Sequence, residues 1–251
     1  YFLVDIKLAA PLSATPDLPP SREYLLGTDS AGRQMLPVLI AGIPTSLQIG
    51  LIAGTLGLLI GTVLGFTAGY FGGIVDSIIR TLADVALSIP ALAVLVVIAS
   101  VITKLLSPQI MALIIASLAW MWPTRTIRAQ VLTMRERAYV EVARLSGLNN
   151  FEIIFKELMP NLLPYLAASF VGAVSSAVLA AIGLEALGLG PQSEPTLGMT
   201  IYWARYYAAI ARGLWWWWAP PVVVIILMFI SLFMIAAGLD EVANPRSRRA
   251  A

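Results

Sequence analysis

The sequence predicts an all-α, polytopic membrane protein, and three observations predict it. Apolar residues make up 59% of the 251 residues and charged residues 12%, against roughly 45–50% and about 25% in soluble domains. Five stretches are long and apolar enough to cross a hydrocarbon layer, which at about 30 Å takes roughly 20 helical residues. Glycines recur at helical spacing through the first of them, as in helices that pack closely in lipid. A net charge of +2 is too small for a nucleic-acid surface. The absence of Cys and His excludes disulfides, thiolate nucleophiles, Cys/His zinc sites and His general bases.

In chain order, residues 1–45 form an external, Pro-rich lead-in and the start of the bundle. Ala10 to Pro20 is followed by Gly27-Thr28-Asp29-Ser30-Ala31-Gly32-Arg33, and both favour turns because Pro lacks a backbone donor and Gly accepts turn conformations. Residues 46–251 form the transmembrane domain. Its first span runs from about Ser46 to Tyr70 and carries Gly50, Gly54, Gly57, Gly61, Gly65 and Gly69. The second runs from Val75 to Thr103, the third from Gln109 to about Thr124, and the fourth from Leu162 to Leu189. After a polar loop, Gly190 to Thr200, the fifth covers Leu214 to Leu239. Four tryptophans, Trp215 to Trp218, open it; they read as an interfacial belt, with stacking on a sugar as the alternative.

Lys and Arg set the orientation. With loops alternating across five spans, one side carries Arg80, Arg125, Arg128, Arg135, Arg137, Arg144, Lys156, Arg246, Arg248 and Arg249, and the other Lys7, Arg22, Arg33, Lys104, Arg205 and Arg212. The richer side is placed in the cytoplasm, with the C-terminus, and the lead-in and Trp run outside. A chain that starts outside on Tyr1 is expected to have a helix upstream, with Phe2 to Ala10 as its trailing end.

The longest cytoplasmic connection, 125–161, is the most informative. It holds Glu141-Val142-Ala143-Arg144-Leu145-Ser146-Gly147, a helical Phe151 to Leu158, and Met159-Pro160-Asn161-Leu162-Leu163-Pro164. Phe151, Ile154, Phe155 and Leu158 fall at helical spacing, and Glu152 and Lys156 form an i to i+4 pair on the exposed face. The segment reads as two short helices around a glycine turn, after which Pro160 and Pro164 restart the chain into the fourth span. It is an amphipathic knob suited to a groove on another protein.

Glu-x-Ala-x-x-x-Gly, here Glu141, Ala143 and Gly147, followed by Met159-Pro160, resembles the EAA loop of permease subunits of ABC importers. Val142 stands where that pattern has a second Ala, and Met159 where it has Leu. Gly27 to Arg33, Ala68-Gly69-Tyr70-Phe71-Gly72-Gly73, Leu87-Ser88-Ile89-Pro90, Arg128-Ala129-Gln130-Val131-Leu132, Leu187-Gly188-Leu189-Gly190 and Asn244-Pro245-Arg246 are similar to the C-type permeases of dipeptide, oligopeptide and nickel importers. The likeness covers nearly the whole chain. It implies a type I ABC importer permease fold with six spans in the full-length chain, in the cell membrane. It also implies a second, B-type permease, two ABC ATPase subunits and an extracytoplasmic substrate-binding protein as partners. The loop around Glu141, Ala143, Gly147 and Pro160 would couple to the ATPases, which use ATP and Mg. This chain has no G-x-x-x-x-G-K-[ST], since Lys7, Lys104 and Lys156 each follow a residue other than Gly, so no cofactor and no enzymatic activity are expected of it. Oligopeptides are the substrate the resemblance implies, with oligosaccharides or nickel as alternatives.

Charges within spans are costly and mark functional sites. Arg80 and Asp84 lie four apart and pair on one helical face, or form part of a gate. Glu185 has no local partner; it lines a pathway or reaches external water. The resembling family carries a Glu about one turn earlier, where Ala181 stands, so no family role transfers to Glu185. Ser88 and Pro90 mark a helix kink or a substrate contact. Asp84, Ser88, Pro90 and Glu185 are thus the pathway candidates. An ion-gradient-driven secondary transporter is the rival reading, thinly supported by so few charges. A membrane-embedded enzyme would need motifs such as Gly-x-Ser-x-Gly or HExxH, which do not occur.

Overall fold

The structure, a computed structural model, describes residues 15–102, 106–192 and 194–243, the side chains of 240–243 excepted. Phe2 to Ala10 with Lys7, Lys104, and the closing Asn244-Pro245-Arg246 with Arg248 and Arg249 lie outside the described residues. Among the described residues the regular elements are helices. They are α1 (Met35–Phe71), α2 (Gly73–Ser88), α3 (Ala91–Val101), α4 (Pro108–Ala119), α5 (Met121–Met134), α6 (Ala138–Leu145), α7 (Asn150–Ala186), α8 (Leu197–Tyr206) and α9 (Trp215–Ala243). A lone antiparallel bridge joins Thr28 and Gln34 in the lead-in. Helices are the expected outcome, because an apolar segment in lipid must satisfy its backbone polar groups internally.

Met35–Phe71, Asn150–Ala186 and Trp215–Leu239 are each long and apolar enough to cross a membrane, and the pairs α2/α3 and α4/α5 pass the same test as broken spans. Counted so, the predicted five spans are present, but their ends differ. The first begins at Met35 rather than Ser46; Pro37 falls in the first turn, where its missing N–H is no loss, and Pro44 is accommodated inside the helix. The second is interrupted at Ile89-Pro90: Ile89 is extended, at φ −93° and ψ 131°, as a residue before proline prefers. The third continues through α5 to Met134, beyond Thr124. The fourth starts at Asn150 rather than Leu162.

That last difference corrects the reading of Pro160 and Pro164 as a restart of the chain. Both lie inside α7, and Pro160 follows directly on Ile153–Leu158, which is wound as a π-helix. The Met159 N–H donates to Ile154 O, five residues back. At Pro160 the wide turn relieves the clash a proline ring makes with the carbonyl four residues earlier, so the helix passes through it, and Pro164 is accommodated in the α-helix beyond.

The chain divides into two compact units. The first comprises residues up to Ile52, Leu92–Ile115 and Ala177–Ser231, and the second Ala53–Ala91, Ala116–Ser176 and residues from Leu232 on. In the first unit Met35, Ala204, Ala209, Leu214, Trp216 and Trp217 form a buried cluster. This corrects the reading of the Trp run as a belt throughout. Trp216 and Trp217 are buried; Trp216 Nε1 donates to Thr28 O at 3.2 Å, and the Trp217 ring stacks on Tyr207 with centroids 5.8 Å apart. Trp215 stays exposed.

In the second unit the glycine spacing of α1 meets a matching spacing across from it. Gly57, Gly61, Gly65 and Gly69 face Ala119, Pro123, Ile127 and Val131, and a methyl added to any of the four glycines would lie 2.5–2.9 Å from these side chains. Both series advance by four, so ridges of i±4 residues interlock. Both rise together, so α5 runs in the same direction as α1, as spans two apart in an alternating bundle must. Arg135, just beyond α5, donates from Nη1 to Gly69 O at 2.9 Å and Tyr70 O at 3.3 Å, satisfying carbonyls left over at the end of α1.

Candidate functional site

The connection between α5 and α7, 135–149, carries the eight-residue α6 between short links at 135–137 and 146–149. Helix α6 ends in a Schellman motif: Gly147 N–H donates to Arg144 O at 3.1 Å and Leu148 N–H to Ala143 O at 3.2 Å. Gly147 sits at φ +85° with nothing near the position of a Cβ, so it is required for its backbone conformation and not for space. Two residues on, Asn149 and Glu152 form a capping box, each side chain accepting the other's backbone N–H at 3.0 Å. The second Glu152 oxygen accepts from Lys156 Nζ at 2.8 Å, the predicted i to i+4 pair. Tyr70 OH donates to Asn150 Oδ1 at 2.9 Å, tying the end of α1 to the start of α7.

These links hold an amphipathic unit. Val140, Ala143, Ile153, Ile154, Leu158 and Leu162 are buried against Leu58, Phe66 and Tyr70 of α1 and Ile127 and Val131 of α5. Tyr139 packs against the same cluster; its hydroxyl is buried without a partner among the described residues, and burial, helped by the nearby Glu157 carboxylate, pushes the phenol up. The opposite side is apolar and bare: Val142 is 61% exposed, Leu145 83%, Phe151 69% and Phe155 60%. Phe151 and Phe155 therefore do not share the buried stripe with Ile154 and Leu158 that helical spacing predicted. The π-helix takes more residues per turn, which brings Ile153 inward and leaves both phenylalanines outside. Of the coupling candidates, Glu141 and Gly147 lie on the exposed side, Ala143 is buried beneath it, and Pro160 is exposed on α7.

The pathway candidates fall into different surroundings. Asp84 is half exposed and lies 3.8 Å from both Arg80 Nε and Arg125 Nη1, so the predicted Arg80 pair is loose and shared. Ser88 OH donates to Val85 O at 2.6 Å at the end of α2, and Pro90 is the break itself. Glu185, in the first unit, is fully buried, which overturns the reading that it reaches external water. Its Oε2 accepts the Gly198 N–H at 3.0 Å near the start of α8, and Oε1 has no partner among the described residues. Thr196 caps the same helix, accepting the Met199 N–H at 3.2 Å.

Sequence reasoning missed a bidentate ion pair between α2 and α5. Arg128 binds Asp76 through two nitrogens, Nη2 to Oδ2 at 2.6 Å and Nε to Oδ1, both side chains mostly buried. The signal was present: Asp76, Arg80 and Asp84 recur every four residues on α2 and face Arg125 and Arg128 on α5. Asp29 was likewise passed over. It is 1% exposed, with Oδ1 accepting the N–H groups of Ala31 and Arg33 at 2.8 Å and Oδ2 accepting Arg33 Nε at 2.7 Å. This Asx-type turn, in which the side chain replaces backbone partners, is what the Gly27 to Arg33 stretch builds.

The profile of the family described as binding-protein-dependent transport system inner membrane component matches residues 61–249. The di/tripeptide transport system permease protein of Pseudomonas aeruginosa is 34% identical over 229 residues, covering 91% of this chain and 74% of the relative. The oligopeptide transport system permease protein of Lactococcus lactis subsp. cremoris is 31% identical over 179 residues, covering 71% of this chain and 60% of the relative. Among solved structures, an inward-facing MetNI methionine ABC transporter chain superposes with a TM-score of 0.67 at 20% identity, covering 83% of this chain and 96% of that one.

Proposed function

The chain belongs to the binding-protein-dependent transport system inner membrane component family, the permeases of ABC importers, and from that membership we propose that it forms half of an ATP-driven import pathway for oligopeptides. The other half is a second permease, and the solute is delivered by an external binding protein. Two relatives named for di/tripeptide and oligopeptide transport support the substrate class. ATP and Mg act on two cytoplasmic ATPase subunits, and the side of the membrane that holds α6 and the C-terminus is the cytoplasm.

The observation that carries this reading is the exposed apolar ridge of Val142, Leu145, Phe151 and Phe155 on an element whose other side is packed against α1 and α5. Bare aromatic and aliphatic side chains on a rigid element are what a partner groove takes up. The buried side of the same element packs on α1 and α5, and packed interiors transmit displacement rather than absorb it. Closure of the ATPases on ATP would push α6, and α6 would carry the ends of α1 and α5 with it, biasing the bundle between inward- and outward-open states. Glu141 supplies a polar contact at the rim and Gly147 keeps the turn between α6 and α7 tight.

The test is purification of the tagged importer from its own membrane in mild detergent. The wild-type chain is expected to bring a second permease and two ATPases, while Phe151→Asp, Gly147→Asp and Glu141→Lys keep the second permease and lose the ATPases. A wild-type chain that is recovered alone and still takes up solute on an ion gradient without ATP would refute the reading.

A further inference from the structure

Helix α2 presents three faces. Ala83 is buried and Asp76 is paired with Arg128, so that side lies on α5. Ile74, Ile78, Leu82 and Val85 make an exposed apolar face. Between the two runs a polar stripe: Ser77, Thr81, Asp84 and Ser88 recur at i, i+4, i+7 and i+11 and are all exposed, with Arg80, also exposed, beside them. Lipid asks only for the apolar face. A second exposed face, of hydroxyls and charges, belongs against water.

At the edge of the stripe α2 and α5 enclose a cavity of about 230 Å³ lined by Arg80, Ala83, Asp84, Thr124, Arg125 and Arg128. Thr124 packs between Gly61 and Gly65 of α1, so the cavity lies beside a spanning helix, about 9–15 Å from its end at Phe71. Its polar groups are unequally committed. Arg128 is held by both oxygens of Asp76, and the Thr124 hydroxyl donates to Trp120 O at 2.8 Å. Arg80 and Arg125 each lie 3.8 Å from the Asp84 carboxylate, beyond hydrogen-bond reach, and neither makes a side-chain hydrogen bond among the described residues. With Asp76 and Asp84 set against Arg80, Arg125 and Arg128, one positive charge is left over, and it belongs to the two loose guanidinium groups.

We infer that the stripe lines a water-filled stretch of the import pathway and that Arg80 and Arg125 form a station in it for the C-terminal carboxylate of the carried peptide, a role that rests on the oligopeptide reading above. The uncommitted charge is positive, and a guanidinium presents paired N–H groups that match the two oxygens of a carboxylate. That carboxylate is the anion common to peptides of every sequence, so two arginines that recognise it leave the side chains unread. Asp84 keeps the station weak by competing for both arginines, as a solute in transit must leave as well as bind.

The experiment uses the whole importer in lipid discs. The chain has no Cys, so Ser77→Cys, Thr81→Cys and, on the apolar face, Leu82→Cys each add one thiol to it. Reaction with a sulfonate-bearing and a trimethylammonium-bearing methanethiosulfonate is followed by the intact mass of this chain, each rate taken relative to that with a free thiol. Ser77→Cys and Thr81→Cys are expected to react at least tenfold faster than Leu82→Cys, and the anionic reagent to outpace the cationic one about tenfold. Arg80→Gln with Arg125→Gln should level the two reagents, Arg80→Lys with Arg125→Lys should keep part of the preference, and Asp84→Asn should raise it severalfold. Millimolar trialanine should slow the reaction at Thr81→Cys severalfold, and its C-terminal amide much less. Equal rates on the two faces, an anion preference that is absent or survives the glutamine variant, or equal protection by acid and amide overturns the station. If the glutamine variant does not assemble, Asp84→Asn decides, no change rejecting it. ATP-driven uptake of trialanine with the binding protein reads the import function separately. Uptake without selective protection rejects the station and leaves the importer standing, while selective protection without uptake upholds the carboxylate station and removes peptide import.

Discussion

Gly198, the second residue of α8, is set by a side chain from α7. Glu185 Oε2 accepts its N–H, and a methyl added there would fall 2.6 Å from Glu185 Cβ, 3.1 Å from Ile182 Cα, and onto the carboxylate itself. A buried acid would be expensive unpaired. Here it stands where the unpaired N–H groups and the positive end of the α8 dipole collect, and that offsets part of the cost. Gly198→Ala should therefore lower stability by about 1–3 kcal/mol through overpacking. Glu185→Ala should also destabilise, by leaving the Gly198 N–H unpaired. The double variant should lose less than the sum, because one change makes room for the other, with a coupling of about 0.5–3 kcal/mol. Thermal unfolding of the purified complex measures the cycle, and strict additivity would show that the two residues do not share a contact. Gly147 fails differently: its surroundings are empty, so only its positive φ matters. Gly147→Ala is expected to cost about 1–2 kcal/mol and Gly147→Asn less, since Asn tolerates this conformation; equal losses in the same melts would mean that backbone strain is not the cause.

Among the elements, α2 and α5 are joined by charge where α1 and α5 are joined by shape. The Asp76–Arg128 pair is bidentate and mostly buried, so removing one partner strands the other charge. Asp76→Asn should cost about 3 kcal/mol, and Arg80→Gln, on an exposed and loose pair, well under 1 kcal/mol. Comparable thermal shifts in the two variants would contradict this division. The same elements show what the sequence makes legible and what it does not. Length and hydropathy reveal five spans, because a bilayer imposes one thickness on every crossing. The four-residue glycine spacing of α1 reveals a close contact, because a stripe without side chains has little other use in lipid. Neither reveals the partner of that stripe, Ala119 to Val131, which depends on how the chain returns. The π turn at Ile153–Leu158 is also hidden: the residues there read as an ordinary amphipathic helix, and Pro160, which appears to end it, is accommodated by one wider turn. The Asp76, Arg80, Asp84 repeat is readable only in part, since the four-residue spacing of Arg80 and Asp84 suggests a self-contained pair on one helix and conceals that Asp76 needs Arg128 from another.

For the whole molecule, orientation is the property on which the import reading most depends. If α6 faces the cytoplasm it can meet an ATPase, and if it faces outward it cannot. The charge distribution places Glu136, between α5 and α6, inside and Arg22, in the lead-in, outside. Both residues are exposed, and the chain contains no Cys, so a single introduced cysteine reports on its own position without background. Arg22→Cys is expected to react with a membrane-impermeant maleimide in intact cells whose outer layers admit the reagent. Glu136→Cys should stay unlabelled until the cells are lysed. Lysis supplies the control that each thiol is reactive, and a permeant maleimide applied to intact cells supplies the control that Glu136→Cys is not merely covered. The reverse pattern would invert the topology, remove the ridge of Val142, Leu145, Phe151 and Phe155 from the compartment that holds ATP, and leave the external face as the only place for a partner to dock there. The expected pattern puts the free ridge on the side of the membrane where ATP is available.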